Sequence, residues 1–294
     1  LRRHAVRTYT AKPESFSFCQ ELVQRNDVES FLCLPFVPAA SRPSVLAVRA
    51  FNVEVAKAAD KASDIRIAEM RLKWWSGVID NLVKMNPPEH PIADALCAAL
   101  HSTDLDPDLL RSVIEWRIKD LHSKQPDTIA DLEDYARGTQ GALQKLTLFS
   151  LGAGSHKGSL KAAEHVGVAM GIALVLRGTK FHATRNKLYI PKDVASAYKL
   201  SPGSVAKGQP TQELSKCVYD LSMIAKEHLQ KAAKAGFTRE SLPALYPAAV
   251  PRIFFHKLEE LEFDVMHPDW GAQGTTMRVR LPLMLLKHRL LGRF

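Results

Sequence analysis

A chain of 294 residues with 46% hydrophobic content is long enough for one sizeable helical domain or two small ones. Lysine and arginine outnumber acidic residues by 40 to 31, and the formal charge of +9 suits nucleic acid, an anionic membrane surface or the mitochondrial matrix. Aromatic residues make up only 7% and are not interleaved with basic ones, which makes nucleic acid the weakest of the three.

Cysteine usage and apolar run lengths narrow the class further. Cysteines occur singly, without a C-x-x-C pair, at Cys19, Cys33, Cys97 and Cys217. This pattern predicts buried free thiols in a reducing compartment rather than disulfides or a zinc site. No apolar run approaches the roughly 20 residues of a membrane span, which predicts a soluble or peripheral protein.

The amino-terminal segment is basic and rich in hydroxyl groups. Residues 1–12 read LRRHAVRTYTAK, and the first acidic residue is Glu14. This composition predicts that residues 1–14 are the remnant of a mitochondrial transit peptide, and that residues 15–294 form a single domain. A frayed basic terminus is the alternative interpretation.

Apolar spacing along the chain is helical almost throughout, with little period-two alternation, so the sequence predicts an all-α protein. Helices are predicted over residues 16–33, 44–61, 69–83, 107–122, 132–151, 213–235 and 242–263, with a further helix opening at Gly167. The helix over 132–151 contains Gly138, Thr139 and Gly141. These small residues allow either close packing of helices or room for a long ligand.

One pair of carboxylates is a candidate metal site. Asp60 and Asp64 stand four residues apart near the end of the helix predicted over 44–61, so both are expected on one helical face. A displaced metal site and a solvated helix end are the two interpretations. The second is favoured, because one carboxylate pair does not hold a magnesium cluster without a facing acidic helix.

A second candidate site lies in residues 167–191, which begin as an apolar helix and turn basic after Leu176. The basic side chains are those of Arg177, Lys180, His182, Arg185 and Lys187. No acidic residue occurs from 165 through 192, so this stretch cannot supply carboxylates to a metal. It is a candidate for binding an anion inside a cavity, and an exposed connecting loop is the alternative.

Residues 277–294 alternate basic residues with Leu and Met. Such a segment is typical of a basic amphipathic helix on an anionic membrane. It is equally compatible with the last helix of a bundle whose charges point outward, and Pro282 interrupts the pattern.

The order of these motifs resembles the squalene and phytoene synthase family over most of the chain. The frame of that family's second signature region is kept as Gly171-Ile172-Ala173-Leu174 and as Lys187-Leu188-Tyr189-Ile190-Pro191. Residues 30–51 resemble its entrance helices, and residues 263–268 (FDVMHP) resemble its ending. The resemblance implies an all-α, isoprenoid-synthase-type helical bundle around a central cavity.

The acidic motifs depart from that family's pattern. The first reads Ala56-Lys57-Ala58-Ala59-Asp60, and the basic stretch stands where the second is expected. These departures resemble a non-catalytic branch that helps to assemble mitochondrial respiratory complex I. The resemblance therefore implies a pseudoenzyme with no catalytic residue, metal or cofactor.

That branch also implies where the protein works and with what. The implied partners are complex I subunits or assembly intermediates, with peripheral contact on the matrix side of the inner membrane, room for a lipid in the cavity, and no nucleic acid. Two alternatives stay open: a prenyl-diphosphate transferase that uses Asp60 and Asp64, and an isoprenoid- or lipid-binding protein that keeps the cavity without turnover.

Overall fold

The computed structural model describes residues 9–60 and 64–294, with the side chains of 59–60 and 271–276 left out. Within those ranges the chain is helical and contains no β-strand, which confirms the predicted all-α class. The helices are α1 (Pro13–Asn26), α2 (Val28–Cys33), α3 (Arg42–Asp60), α4 (Ile65–Val83), α5 (Pro91–Ser102), α6 (Pro107–Leu121), α7 (Ile129–Ala136), α8 (Ala142–Ser150), α9 (Lys157–Arg177), α10 (Thr179–Ala183), α11 (Lys192–Ala197), α12 (Pro202–Ala206), α13 (Gln212–Lys234), α14 (Leu242–Leu245), α15 (Ala249–Glu260) and α16 (Gln273–Leu291).

Three predicted helices are interrupted, each for a local reason. The helix predicted over 16–33 is two helices, because Asp27 leaves helical geometry and its side chain accepts a hydrogen bond from the backbone of Ser30 at the start of α2. The helix over 242–263 is divided by a 3-10 turn that contains Pro247. The helix over 132–151 changes to π-helical geometry at Arg137–Gly141.

Two hydrophobic clusters form the core. One contains apolar faces of α1, α3, α4, α5 and α6, with Phe51 fully buried. The other surrounds α9 and includes faces of α13, α15 and α16, with Phe254 and Phe255 buried. Helix α8 contributes residues to both clusters, so it joins the two halves of the bundle.

Glycines set how closely the central helices approach. A Cβ atom on Gly167 of α9 would lie 2.3 Å from the Cα of Gly141, and a Cβ on Gly171 would lie 2.6 Å from the Cβ of Ala136. A Cβ on Gly138 would lie 1.9 Å from the indole of Trp116. Close helix packing therefore accounts for the small residues around the π-helical segment, rather than room for a ligand.

Helix α9 corrects the expectation that no segment is long enough to cross a membrane. Among the described residues it is the one helix of sufficient length and hydropathy, with a mean hydropathy of 1.4. Because 67% of its apolar window is buried inside the bundle, it has the surroundings of a core helix.

The cysteines behave as predicted. All four are unpaired and buried. Burial is the first cause that raises the pKa of each thiol, to about 12 for Cys19 and Cys33 and to about 11 for Cys97 and Cys217. They are structural thiols with little thiolate at neutral pH.

The described part of residues 1–14 is held against α5 by Asp94. The carboxylate of Asp94 accepts hydrogen bonds from the Tyr9 hydroxyl at 2.5 Å, the Lys12 backbone at 2.8 Å and the Ser15 hydroxyl at 2.6 Å. Residues from Tyr9 onward therefore belong to the folded unit, while residues 1–8 of the transit-peptide prediction lie outside the described residues.

Candidate functional site

The facing sides of α3, α8 and α9 carry buried polar groups in the middle of the bundle. Arg49 of α3 is 3% exposed, and its Nη2 donates to Oε1 of Gln144 at 3.2 Å. Gln144 is fully buried, and its Nε2 donates to Sδ of Met170 on α9 at 2.8 Å. This chain of contacts connects the two helices that carry the motif positions.

A second polar contact lies next to it on α3. Asn52 accepts a hydrogen bond from Nη2 of Arg117 on α6 at 2.8 Å. The Nε atom of Arg117 is buried and has no hydrogen-bond partner among the described residues. Arg49 and Arg117 thus bring two guanidinium groups into the interior beside α3, each hydrogen-bonded to a neutral amide.

The first-motif positions do not form an acidic face. Ala56 and Lys57 are half-buried on α3, and the ammonium of Lys57 donates to the side-chain oxygen of Asn26. Asp60 is the last residue of α3, and its side chain is outside the described part. The structure therefore places Lys57 between α3 and α1.

Asp64 corrects the expectation of two carboxylates on one helical face. Its backbone is extended, with φ −130° and ψ 135°, and its side chain caps α4 by accepting from the backbone N–H of Arg66 at 2.8 Å. The same carboxylate pairs with the Arg66 guanidinium, which lowers the Asp64 pKa. Its extended backbone and its capping bond therefore place Asp64 at the start of α4.

In the second-motif stretch, Arg177 is the last residue of α9 and faces α2. Its Nη1 and Nη2 atoms both donate to the carboxylate of Glu29, and the second of these bonds is 3.3 Å long. Both side chains are largely buried, with 31% and 24% exposed. This bidentate pair fixes the end of α9 to the amino-terminal part of the chain.

Lys187 is held at the other end of the stretch by Asp120 of α6. The Lys187 ammonium lies 2.7 Å from Oδ2 of Asp120, and the Tyr189 hydroxyl donates to the same oxygen at 2.8 Å. Burial is the first cause that raises the pKa of Tyr189, followed by the neighbouring Tyr135 and Asp120. Burial likewise raises the pKa of Tyr135 to about 12.

The three remaining predicted residues lie on α10 and just after it. Lys180 is exposed. His182 packs edge-on against the Tyr189 ring, with 4.7 Å between centroids, and Arg185 lies 4.0 Å from the centroid of the Phe181 ring. The structure thus brings His182 and Lys187 together around Tyr189 and directs Arg177 elsewhere.

Internal ion pairs hold two of the predicted cations. Among the side chains that the structure describes, which do not include that of Asp60, no group of three His, Cys, Asp or Glu is arranged to hold a metal ion. Two of the predicted cations, Arg177 and Lys187, are matched with carboxylates of the same chain. Chemically, these two positions stabilise helix ends and loops.

One histidine pair was missed by sequence reasoning. Nδ1 of His165 on α9 lies 2.9 Å from Nδ1 of His228 on α13, and Nε2 of His228 lies 3.0 Å from a carboxylate oxygen of Glu133 on α7. Burial first, and then His228, lowers the pKa of His165. The sequence offered one signal for this pair, because His228 stands within the apolar stripe of the helix predicted over 213–235.

Solved structures of isoprenoid-forming enzymes share this fold. The chain superposes on a dehydrosqualene synthase with a TM-score of 0.82, 17% identity and coverage of 94% of this chain and 96% of that one. It superposes on the squalene synthase HpnC from Alicyclobacillus acidocaldarius with a TM-score of 0.76, 16% identity and coverage of 85% and 95%. These similarities establish the isoprenoid-synthase-type fold.

Proteins with similar sequences identify the family more closely than the fold does. The chain is 33% identical over 91% of its length, and 80% of the relative's, to the Homo sapiens protein named NADH dehydrogenase (ubiquinone) complex I, assembly factor 6. It is 31% identical to the Bos taurus protein of the same name, over 92% and 82% of the two chains. The family model for squalene/phytoene synthase matches residues 23–284. The chain therefore belongs to the squalene/phytoene synthase family.

Proposed function

We propose that this protein is an assembly factor for mitochondrial respiratory complex I and acts by binding rather than by catalysis. The observation that carries the proposal is the identity of 31% and 33%, over more than nine-tenths of the chain, to two proteins that bear the assembly-factor name. The partners are then subunits or assembly intermediates of that complex. The phytoene synthase of Arthrospira platensis is a more distant relative at 20% identity.

Local chemistry supports the non-catalytic part of the proposal. Ionisation of a prenyl diphosphate needs magnesium ions held by carboxylates from two facing helices. Here the stretch that follows α9 supplies cations, and Arg177 and Lys187 are already paired with Glu29 and Asp120. We propose that Ala56, Lys57, Asp60 and Asp64 are a degenerate first motif and that the basic stretch, with Lys180, His182 and Arg185, replaces the second.

The proposal also includes where the protein works in the cell. A complex I assembly factor works in mitochondria, and the formal charge of +9 suits the matrix face of an anionic inner membrane. The basic segment at residues 1–8, which lies outside the described residues, has the composition of a transit-peptide remnant. We place the protein on the matrix side as a peripheral component.

Gene deletion in the source organism tests the assembly role. Native gels of mitochondrial membranes should show less assembled complex I after deletion, with the other respiratory complexes as internal controls, and re-expression of the wild-type chain should restore it. Normal complex I after deletion would overturn the proposal.

A direct assay tests the non-catalytic role. The purified protein is incubated with farnesyl or geranylgeranyl diphosphate and Mg²⁺, and released diphosphate is measured against a catalytic family member. We expect no release above the buffer control. Release that is lost in the Asp60→Ala/Asp64→Ala variant would favour a prenyl-diphosphate transferase, and a co-purifying isoprenoid without turnover would favour a lipid-binding protein.

A further inference from the structure

Helix α16 is apolar on two opposite faces. One face is buried in the bundle and consists of the apolar side chains of Met277, Leu281 and Leu285, with His288 beside them. The other is exposed and consists of Val279, Leu283, Leu286 and Leu290. With about 100° of rotation per residue, each set falls within an arc of about 80° or less, and the two arcs lie about 170° apart. We call the exposed set the outer stripe.

The side chains of the outer stripe are apolar and yet strongly exposed to solvent. Leu283 is 64% exposed and Leu290 is 77% exposed, whereas packing against α15 and α2 needs only the opposite face. Isolated exposed leucines are common, but four apolar side chains aligned along three turns form a continuous surface. Folding alone gives no reason for this alignment.

Basic residues border the outer stripe on both sides. Arg280 and Lys287 lie about 70–90° from its axis on one side, and Arg278 and Arg289 lie about 90–110° away on the other. All four are exposed, and none lies within ion-pair distance of a described carboxylate, although the charge of Arg280 contributes to lowering the Glu260 pKa. An apolar ridge between two rows of cations matches the interface of an anionic bilayer, where acyl chains lie below the phosphate layer.

A cleft of about 480 Å³ opens beside this ridge, between α15 and the end of α16. Its lining combines the basic side chains of Arg252, Lys287, His288 and Arg293 with the apolar ones of Leu283, Met284, Leu291 and Phe294. No acidic residue lines it. The cleft is therefore positively charged where it meets the apolar ridge.

One lining group has no partner inside the fold. His288 is 7% exposed, and its Nδ1 atom is buried without a hydrogen bond to any described residue. Burial first, and then the charges of Arg252, Lys287 and Arg293, lowers the His288 pKa to about 4. A negative charge in the cleft would offset the neighbouring cations and favour the protonated form of this ring.

We propose that the outer stripe of α16 lies on an anionic phospholipid bilayer and that the adjoining cleft binds the phosphate headgroup of one of its lipids. The contiguity of leucines and cations favours a lipid over a free phosphate, because a free phosphate would need only the cleft. This inference rests on the proposed peripheral membrane contact and names its surface. Vesicle binding is measured apart from complex I assembly, so failure of one is distinguishable from failure of the other.

Vesicle sedimentation with the purified chain provides the test. Binding is expected to vesicles of phosphatidylcholine mixed with phosphatidylglycerol, and to be weak with phosphatidylcholine alone. The Lys287→Gln/Arg293→Gln variant should bind about 25-fold more weakly, at about fivefold per cation. The Leu283→Ser/Leu290→Ser variant should lose at least about tenfold, because both leucines leave water on binding.

Matched variants separate the surface from general effects. Met70→Ser/Val83→Ser removes exposed apolar side chains from α4, and Lys207→Gln/Lys216→Gln removes exposed cations elsewhere. Both controls should bind as the wild type does. Equal losses in the controls, or unchanged binding in the α16 variants, would overturn the proposal.

A fluorescent probe attached to the outer stripe gives a second measurement of membrane contact. Because the four native cysteines are buried, a bimane dye attached to Leu290→Cys reports on that position, with Met70→Cys as the control. Anionic vesicles should shift only the Leu290→Cys emission to the blue. Binding of inorganic phosphate or glycerol phosphate to the cleft, without an emission shift on vesicles, would assign a soluble phosphate ligand and contradict the membrane proposal.

Discussion

The Arg177 guanidinium, at the end of α9, donates two hydrogen bonds to the Glu29 carboxylate on α2. The two residues are 148 positions apart in sequence, and both side chains are largely buried. The first cation of the basic stretch is therefore neutralised by the protein itself, and it holds the amino-terminal helices against the end of α9.

Replacing Arg177 should measure this role. Arg177→Met leaves the Glu29 carboxylate without its partner, so we expect the free energy of unfolding to fall by about 1–3 kcal/mol. Arg25→Ala removes an exposed pair with Glu21, whose side chains are 77% and 66% exposed, and should change stability by less than about 0.5 kcal/mol. Urea unfolding compares the two variants, and an equal effect would contradict the structural role of Arg177.

Close packing at the centre makes one glycine intolerant of substitution. Gly167→Ala places a Cβ 2.3 Å from the Cα of Gly141, and backbone cannot move aside as a side chain can. We expect a loss of about 3 kcal/mol or more in unfolding free energy. Gly77→Ala, where no atom lies within 4 Å of the new Cβ, should instead stabilise α4 by about 0.5–1 kcal/mol. If thermal unfolding showed that the Gly167→Ala protein is as stable as the wild type, this packing would be refuted.

The hydrogen bond between Tyr189 and Asp120 has a less buried counterpart between Tyr198 and Asp220. Tyr189 and Tyr198 each donate to an aspartate oxygen at 2.8 Å, but Tyr189 is buried. Tyr189→Phe should lower the unfolding free energy by about 1–2 kcal/mol, because the bond to a charged acceptor is lost inside the protein. Tyr198→Phe should lower it less. The reverse order in urea denaturation would show that Tyr189 does not anchor the basic stretch.

Burial of His288 predicts a dependence of stability on pH. Its pKa is lowered from the ordinary 6.5 to about 4 by burial, then by the charges of Arg252, Lys287 and Arg293, and the Tyr246 ring also faces it. Between those values the unfolded chain binds a proton that the folded chain excludes. The contribution of His288 to the free energy of unfolding is therefore fully present above pH 6.5. It decreases as the pH drops toward 4, by at most about 3 kcal/mol.

His288→Gln isolates this contribution. The variant should lose less stability between pH 7 and pH 5 than the wild type, because the titrating group is gone. His90 and His165, whose pKa values are also lowered, remain in both proteins and cancel in the comparison. Identical pH profiles of the urea midpoint would show that His288 titrates normally.

Helix ends were predictable where the chain carries its own stop or start signal. Pro107 begins α6 where the sequence placed it, and the predicted ends at residues 122 and 235 are within one residue of those observed. The π-helical segment at Arg137–Gly141 was not predicted, and the close approach of Gly141 to Gly167 within it is a contact between residues distant along the chain. Asp64 was misplaced because its extended backbone and capping side chain place it at the start of α4 and not on the helix that carries Asp60.

The site was only partly readable from the sequence. The basic character of residues 177–187 and the lack of acids around them were visible at once, but their partners were not, because Glu29 and Asp120 are distant along the chain. Arg49 and Gln144 each sit within an apolar helix, which could have marked them as interior polar groups. The sequence indicated a basic amphipathic segment at residues 277–294 that suits an anionic membrane. It did not separate the buried face of α16 from the outer stripe, because two opposite apolar faces look like a helix without a preferred side.

Rescue of complex I in cells that lack this gene tests the central claim most directly. Assembled complex I is quantified after re-expression of the wild-type chain or of Asp60→Ala/Asp64→Ala, with equal protein levels and matching thermal stability as controls. If the protein acts by binding, both chains restore complex I to the same level. Restoration by the wild type alone, with the variant folded, would contradict the account and assign chemistry to the two aspartates.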